Sequence, residues 1–293
     1  MTGTLNWKHL DLTTPESANW IKQEAGLTDI VADALLDQES RPRSMQHEEG
    51  VLVILRGVNL NPGQQLEDMI SIRVWLEEDR VISASRRRLN SVEEIRKAVE
   101  IGLGPKTAGE FLTLLVQNLS DRINDAIEQI ENSLELVEDT LDDRVASSRN
   151  SPFSILRRQS ARIRRYLAPQ REALDRLSKI TDSVFSLDDQ ANFREEANRL
   201  TLLLEDLELV RERTMVAQEE FLGILAHEQN ARMLLLSIVA AIFLPLSFLT
   251  GLMGMNVAGL PGTENNGAFW FLVIMMLAIS AVILALFRYK KWY

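Results

Sequence analysis

Two uncharged apolar runs near the end of the chain limit its architecture more than any other feature. They are Met233–Met253 and Ala268–Phe287, of 21 and 20 residues. At about 1.5 Å per residue each run spans about 30 Å as a helix, the thickness of a bilayer core. Only the 14 residues Gly254–Gly267 separate them, so the pair is predicted to be a transmembrane hairpin with a short polar cap. Arg232 precedes the first run, Arg288, Lys290 and Lys291 follow the second, and the connection carries no Lys or Arg and one acid, Glu264. The excess of cations on the flanks predicts both termini on the cytoplasmic side and the loop outside. Trp270, Trp292 and Tyr293 sit where interfacial anchors are expected. Met1–Thr14 lacks a basic-then-apolar pattern, so no cleaved secretory peptide is expected.

The rest of the chain reads as soluble. Its net charge of −10 argues against a nucleic-acid partner and suits a protein that concentrates cations. With no cysteine there is no thiolate metal site. No Gly-rich phosphate loop, nucleophile–His–acid order or His/Cys cluster occurs. No enzyme is therefore expected, and no cofactor bound for catalysis.

Residues 1–105 are predicted to be a mixed α/β domain. Ser17–Gln38 has helical spacing, with Trp20, Ile21, Ala25, Ile30, Ala34 and Leu35 apolar. Gly50–Gly57 reads as a buried strand, and Met69–Leu76 with Val81–Ser85 as a hairpin turning at Glu77–Arg80. Asn59–Gly63 is a loop. Ser91-Val92-Glu93-Glu94 has a capping-box pattern opening a helix that Gly102–Pro105 stops.

Residues 106–187 are predicted to be a helical hairpin of the same domain. Thr107–Asp143 repeats apolar residues at helical spacing and turns acidic in its second half, from Asp121 to Asp143. Pro152–Ile180 is basic, with Arg157, Arg158, Arg162, Arg164, Arg165, Arg171, Arg176 and Lys179; Ser147–Pro152 is the turn. Antiparallel, the two helices would face opposite charges at each other. Attraction of cations by the acidic helix is the competing reading, with contact of the basic helix to lipid or nucleic acid as a third. From Asp188 a seam of Phe193, Ala197, Leu200, Leu204, Leu207, Thr214, Ala217, Phe221 and Leu225 runs into the first apolar run. One helix from 188 to 250 would be about 90 Å long. Its near-heptad seam predicts self-association, or packing on its own domain.

The first apolar run carries a stripe of mostly small or polar residues: Asn230, Met233, Ser237, Ala240, Leu244, Ser247, Gly251 and Gly254. Leu235, Ile238, Val239, Ile242, Phe243, Leu246 and Leu249 occupy the other face. A pore-lining helix needs that division, and so does a close helix–helix interface. Pro245 frees the Ala241 carbonyl in mid-membrane. With no ionisable residue in either run, a permeating ion would meet amides, hydroxyls and carbonyls, which favours a cation that keeps much of its water. His227, one turn before Asn230, is a candidate metal ligand if copies assemble around an axis, or a plain interfacial residue.

At Gly254-Met255-Asn256 the sequence resembles the CorA metal-ion transporter superfamily, whose signature is Gly-Met-Asn after the first of two C-terminal spans. The wider stretch, Phe243-Leu244-Pro245 through Thr250-Gly251-Leu252 to Ala258-Gly259-Leu260-Pro261-Gly262, is similar to the ZntB zinc-transporter branch, with two substitutions in its Gly-Gly-Ile-Pro-Gly loop. The resemblance implies a homopentamer in the bacterial inner membrane. The first span would line the pore, with Gly254, Met255 and Asn256 at its outer mouth and Met233 at an inner apolar constriction. Arg288, Lys290 and Lys291 would form a basic ring at the exit, and Glu264 would be a weak outer metal contact. Zinc is the expected cargo, with proton coupling as a hypothesis; the chain's partners would be copies of itself, lipid and the transported divalent cation.

The predicted architecture is α+β with a membrane part. An α/β cytoplasmic domain (1–105) and charged hairpin (106–187) lead to a stalk helix (188–232) continuous with the first span (233–253). An external loop (254–267), a second span (268–287) and a basic cytoplasmic tail (288–293) follow. The predicted activity is zinc-preferring divalent-cation transport. A CorA-type magnesium, cobalt or nickel channel is the alternative in the same class. A membrane-anchored coiled-coil scaffold without transport is the alternative outside it.

Overall fold

The computed structural model describes residues 5–38, 41–141, 152–180, 184–255, 260 and 267–290. The chain divides into two compact units, Met1–Glu219 and Glu220–Tyr293. The first is built on a five-stranded sheet of β1 (Asn6–Asp11), β2 (Arg43–His47), β3 (Gly50–Gly57), β4 (Ile70–Leu76) and β5 (Arg80–Ser85), in the order β1-β5-β4-β3-β2. Only the β1–β5 pair is parallel. Helices α1 (Pro15–Gln23) and α2 (Asp29–Leu36) cover one face. Helices α3 (Asn90–Glu100), α4 (Ala108–Asp139), α5 (Pro152–Leu177) and the first part of α6 (Leu187–Met253) build the core on the other.

The sheet faces explain why β3 and β4 read as continuous apolar runs. Alternate residues feed two cores: Val51, Val53, Leu55, Ile72 and Val74 face the α3–α6 layer, whereas Leu52, Ile54 and Trp75 face α1 and α2. A central strand buried on both sides has no solvent face to keep polar. The buried charged exception is Arg73, whose Nη2 donates to the Asp37 carbonyl at 2.5 Å; burial pulls its pKa down to about 10.

The mixed α/β N-terminal layout and the long helix agree with the sequence reading; several details do not. The single helix expected over Ser17–Gln38 is two, broken at Gly26, which has φ 65°. That left-handed conformation is open to glycine at little cost and stops a helix. The edge strands β1 and β2 carried no strand expectation; half-exposed and with polar residues interspersed, they lack the apolar signal of β3. The capping box expected at Ser91 does not form: the N-cap of α3 is Leu89, and the buried Ser91 hydroxyl has no partner among the described residues. A side-chain cap forms at the next helix: Thr107 caps α4, its Oγ1 accepting from the Glu110 amide at 3.1 Å while the Glu110 carboxylate accepts from the Lys106 amide at 2.7 Å.

Charge complementarity is also distributed differently. Among the described residues no ion pair joins α4 to α5. Acids of α4 meet arginines of α6, as Asp121–Arg199 at 2.6 Å and Glu138–Arg213 at 2.5 Å. Arginines of α5 meet Glu67, Asp68 and Glu208, at 3.5, 2.8 and 2.7 Å. The apolar stripes of α4 and α5 point into the shared core, so their charged edges turn toward whichever neighbour flanks them. Those among them whose two side chains both reach solvent contribute about 0.2–1 kcal/mol each; Glu67 is fully buried. The α4 acids are not fully compensated: burial, then Asp206, holds Glu131 above the usual carboxylate range. The expected turn at 147–152 falls mostly outside the described residues, as do Asp142 and Asp143.

The predicted seam of α6 is buried within its own unit from Phe193 to Ala217, through Leu200, Leu207 and Thr214. A different stripe stays open: Leu202, Leu209 and Val216 recur every seven residues and are 60%, 53% and 65% exposed.

Two predictions test this packing. A Cβ at Gly109 would overlap the buried Asp189 carboxylate, which caps the start of α6 through Ser186. At Gly223 it would meet nothing. Gly109→Ala should cost about 1–3 kcal/mol and lower the thermal midpoint; Gly223→Ala should leave it unchanged or raise it. Separately, burial pushes the His9 imidazole down to about 4, beside Ser83 Oγ at 2.8 Å. The unfolded chain takes that proton near pH 6.5, so unfolding binds protons between the two values. His9 therefore contributes stability that is complete above about pH 6.5 and falls away toward pH 4, by up to about 3 kcal/mol. Thermal midpoints measured across this window should decline less steeply in His9→Gln than in the wild type.

Candidate functional site

The second unit holds the membrane signature. Two helices are long and apolar enough to cross a bilayer: α6, through its C-terminal part, and α7 (Ala268–Tyr289). Helix α6 passes Pro245 without interruption, although the ring removes one donor and leaves the Ala241 carbonyl without its usual partner. The hydroxyls turn inward on their own helices. Ser237 donates to the Met233 carbonyl at 2.8 Å, Thr250 to Leu246 at 3.0 Å, and Ser280 to Met276 at 2.9 Å. Such bonds settle a hydroxyl in an apolar medium while leaving its lone pairs available.

Burial divides this part of α6 into three sectors. Half-buried residues are Leu234, Ile238, Ala241, Ile242, Pro245, Leu246, Leu249 and Leu252, spaced by three and four along one face. Helix α7 half-buries a matching stripe of Leu272, Val273, Met275, Met276, Ile279, Ser280, Ile283 and Phe287. These are the faces along which two apolar helices joined by a short loop can meet. Roughly a third of a turn away, at about 100° per residue, lie Asn230, Met233, Ser237, Ala240, Leu244, Ser247, Gly251 and Gly254, every one exposed. A third sector holds Leu235, Val239 and Phe243, also exposed. The other face expected for Ile238, Ile242, Leu246 and Leu249 is thus split between half-buried and open positions.

The helix ends where the stripe ends. Gly254 donates its N–H to the Thr250 carbonyl at 2.9 Å, Met255 donates to Leu252 at 3.4 Å, and both residues are exposed. A Cβ at Gly254 would lie 3.1 Å from the Thr250 oxygen, so glycine allows the tight stop. His227 is exposed on α6, one turn before Asn230. Arg288 occupies the last turn of α7 and Lys290 caps it. Asn256, Glu264, Lys291, Trp292 and Tyr293 lie outside the described residues, as does most of the loop that carries the ZntB-like stretch. Among the described residues no group of three or more His, Asp or Glu is arranged to hold a metal. The chemistry on offer is therefore a lining of carbonyls, hydroxyls, the Asn230 amide, small side chains and the thioethers of Met233 and Met255, without fixed charge.

The sectors make a direct prediction, clean because the chain has no cysteine of its own. In a bilayer, single cysteines at Ser237, Ala240 or Leu244 should react with a water-soluble thiol reagent. Those at Leu235, Val239 or Phe243 should not. Silence at all six positions would make the stripe a packing face.

The comparisons with known proteins agree with this layout. Residues 2–291 match the family described as CorA-like Mg2+ transporter protein. The chain is 41% identical over 288 residues to the divalent cation transporter CmaX of Pseudomonas aeruginosa, covering 98% of this chain and 87% of that protein. It is 31% identical to the zinc transport protein ZntB of Yersinia enterocolitica, again over 98% and 87%. The solved structure of full-length CmaX superposes with a TM-score of 0.82 over 98% of this chain and 88% of that one. A match that runs through the α/β unit, the long helix and both apolar helices makes this chain a member of the CorA-like Mg2+ transporter family, a family of membrane transporters and not of enzymes.

Proposed function

We propose that the chain carries divalent cations across the bacterial inner membrane as a homopentamer, with zinc as its preferred cargo and a proton gradient as its drive. The observation that carries this reading is the exposed stripe of α6, which is free of charge and ends at Gly254-Met255. An uncharged lining lets a hydrated cation pass without a deep trap, because binding must be weak enough to permit release. In this reading Asn256 amides join Gly254 and Met255 at the outer mouth, and Met233 forms the inner constriction. Arg288, Lys290 and Lys291 ring the exit, with both termini cytoplasmic. His227 and Glu264 are auxiliary metal contacts.

A single helical hairpin cannot enclose a pore, so self-association is part of the proposal. The heptad-spaced Leu202, Leu209 and Val216 supply an apolar stripe for it. The preference for zinc rests on the ZntB relative and on the ZntB-like loop sequence. A CorA-type magnesium, cobalt or nickel channel is the second reading, favoured by the family description.

The test is zinc entry into liposomes loaded with a zinc-sensitive dye, with and without an imposed pH gradient. Wild-type entry should rise with the gradient, and Asn256→Ala should lower it at least about tenfold, as expected when an amide that binds the hydrated cation is lost from every subunit. Glu264→Gln should change it little. Entry indifferent to the gradient yet lost in Asn256→Ala would favour the passive magnesium-type channel. No entry with either protein would leave a membrane-anchored scaffold.

A further inference from the structure

A polar cavity lies in the first unit, between the β3–β4 connection and α5. It is an open cleft of about 350 Å³, lined by Glu67, Asp68, Met69, Arg87, Arg162, Arg165 and Tyr166. The size is that of a small-molecule site. The chain as a whole is acidic, yet this spot is basic. Helix α5 presents Arg158, Arg162 and Arg165 at positions i, i+4 and i+7, which one helix face shares. Arg56, from β3, stacks its guanidinium 4.5 Å over the Tyr166 ring. Arg162 donates to Asp68 at 2.8 Å. Arg165 and Arg87 have no carboxylate within ion-pair distance among the described residues, Arg87 donating only to the Gln64 side chain at 3.3 Å. Burial lowers the Arg56 pKa, and Arg165 and Arg87 add to that lowering, as cations crowded without enough counter-charge do.

Glu67 gives this cluster its particular chemistry. The residue belongs to the cavity wall, its side chain is fully buried behind it, and neither carboxylate oxygen accepts a hydrogen bond among the described residues. The Arg158 Nε is 3.5 Å from Oε1, outside good hydrogen-bond range. A buried carboxylate with open lone pairs is costly unless a donor reaches it. A divalent cation is a poor occupant, since five guanidinium groups adjoin two carboxylates. The better occupant brings both halves: anionic oxygens for the arginines and an O–H for Glu67. Guanidinium forks match tetrahedral oxyanions in geometry and charge.

We propose that this cavity binds a hydroxyl-bearing phosphate, either hydrogen phosphate or a small phosphate ester such as a sugar phosphate or a lipid headgroup. The oxygens would accept from Arg87, Arg162 and Arg165, and, with a shift of the side chains that cover Glu67, the hydroxyl would donate to its carboxylate. Glu67 then sets the selectivity. At neutral pH hydrogen phosphate keeps a proton, whereas sulfate has the same shape and no proton to give, so a carboxylate in the site repels sulfate and accepts phosphate.

The experiment is calorimetric titration of the full chain in nanodiscs at neutral pH with inorganic phosphate and, separately, with sulfate; ion flux plays no part in the readout. Phosphate should bind at least about tenfold more tightly than sulfate. Glu67→Gln should close most of that gap, chiefly by raising sulfate affinity. Arg165→Gln, at an exposed position, should weaken both anions about tenfold, and it remains a test if Glu67→Gln fails to fold. Competition by a soluble sugar phosphate would assign the site to a dissolved metabolite; competition only by phosphatidic acid in the nanodisc would assign it to a lipid headgroup. Equal affinity for phosphate and sulfate in the wild type, or no saturable binding of either, would overturn the proposal.

Discussion

Backbone groups in hydrocarbon have no water to bond, and this condition shapes the C-terminal quarter of the chain. Helices that satisfy every amide internally are the economical solution, and α6 and α7 supply two. The same condition accounts for the hydroxyls of Ser237, Thr250 and Ser280, each bonded to a carbonyl of its own helix. It also makes Pro245 conspicuous, because the ring removes a donor where none can be replaced from solvent. An exposed sector of small and polar residues is hard to place against lipid alone. The sector therefore has a use, as a water-facing lining or as a seat for another helix.

The first unit obeys a different constraint. Its central strands are buried on both faces, so helices must cover the sheet twice, and one core cannot serve both. Helices α1 and α2 are short because they only seal one face. The opposite core recruits α3, α4, α5 and the start of α6, which is why an otherwise extended helix begins inside a globular unit. Asp189 fixes that beginning. Its carboxylate accepts from the Ser186 amide and hydroxyl and lies against Gly109, where no side chain fits. Charged edges are then shared by proximity, and the α5 arginines split between ion pairs with Glu208 and a cavity beside Glu67.

Elements differed in how well the chain announced them. Strands β3 and β4 and the apolar stripe of α4 were legible because burial leaves a continuous or periodic signal. The break at Gly26 was hidden, since the apolar spacing of Trp20 to Leu35 continues across it. Ser91 looked like a cap because the pattern is local, yet its hydroxyl is buried and has no partner among the described residues. The α6 seam was visible but its partner was not: Phe193 to Ala217 pack on their own unit, and the open stripe of Leu202, Leu209 and Val216 was obscured by the stronger signal beside it. Glu67 gave no warning at all, because nothing adjacent in sequence reveals that a carboxylate is buried beside arginines nearly a hundred positions later.

By itself the sequence determined the two membrane-length helices, the absence of charge between the ends of each, the helix stop at Gly254-Met255 and the α/β character of the N-terminal part. These follow from composition and period over contiguous residues, where each turn of helix or pair of strand residues repeats the same message. Only the tertiary structure decided which face of α6 is covered, which arginine meets which acid, and where the basic cavity forms. Those outcomes depend on residues far apart in the chain, and a contact between them has no local period to record it.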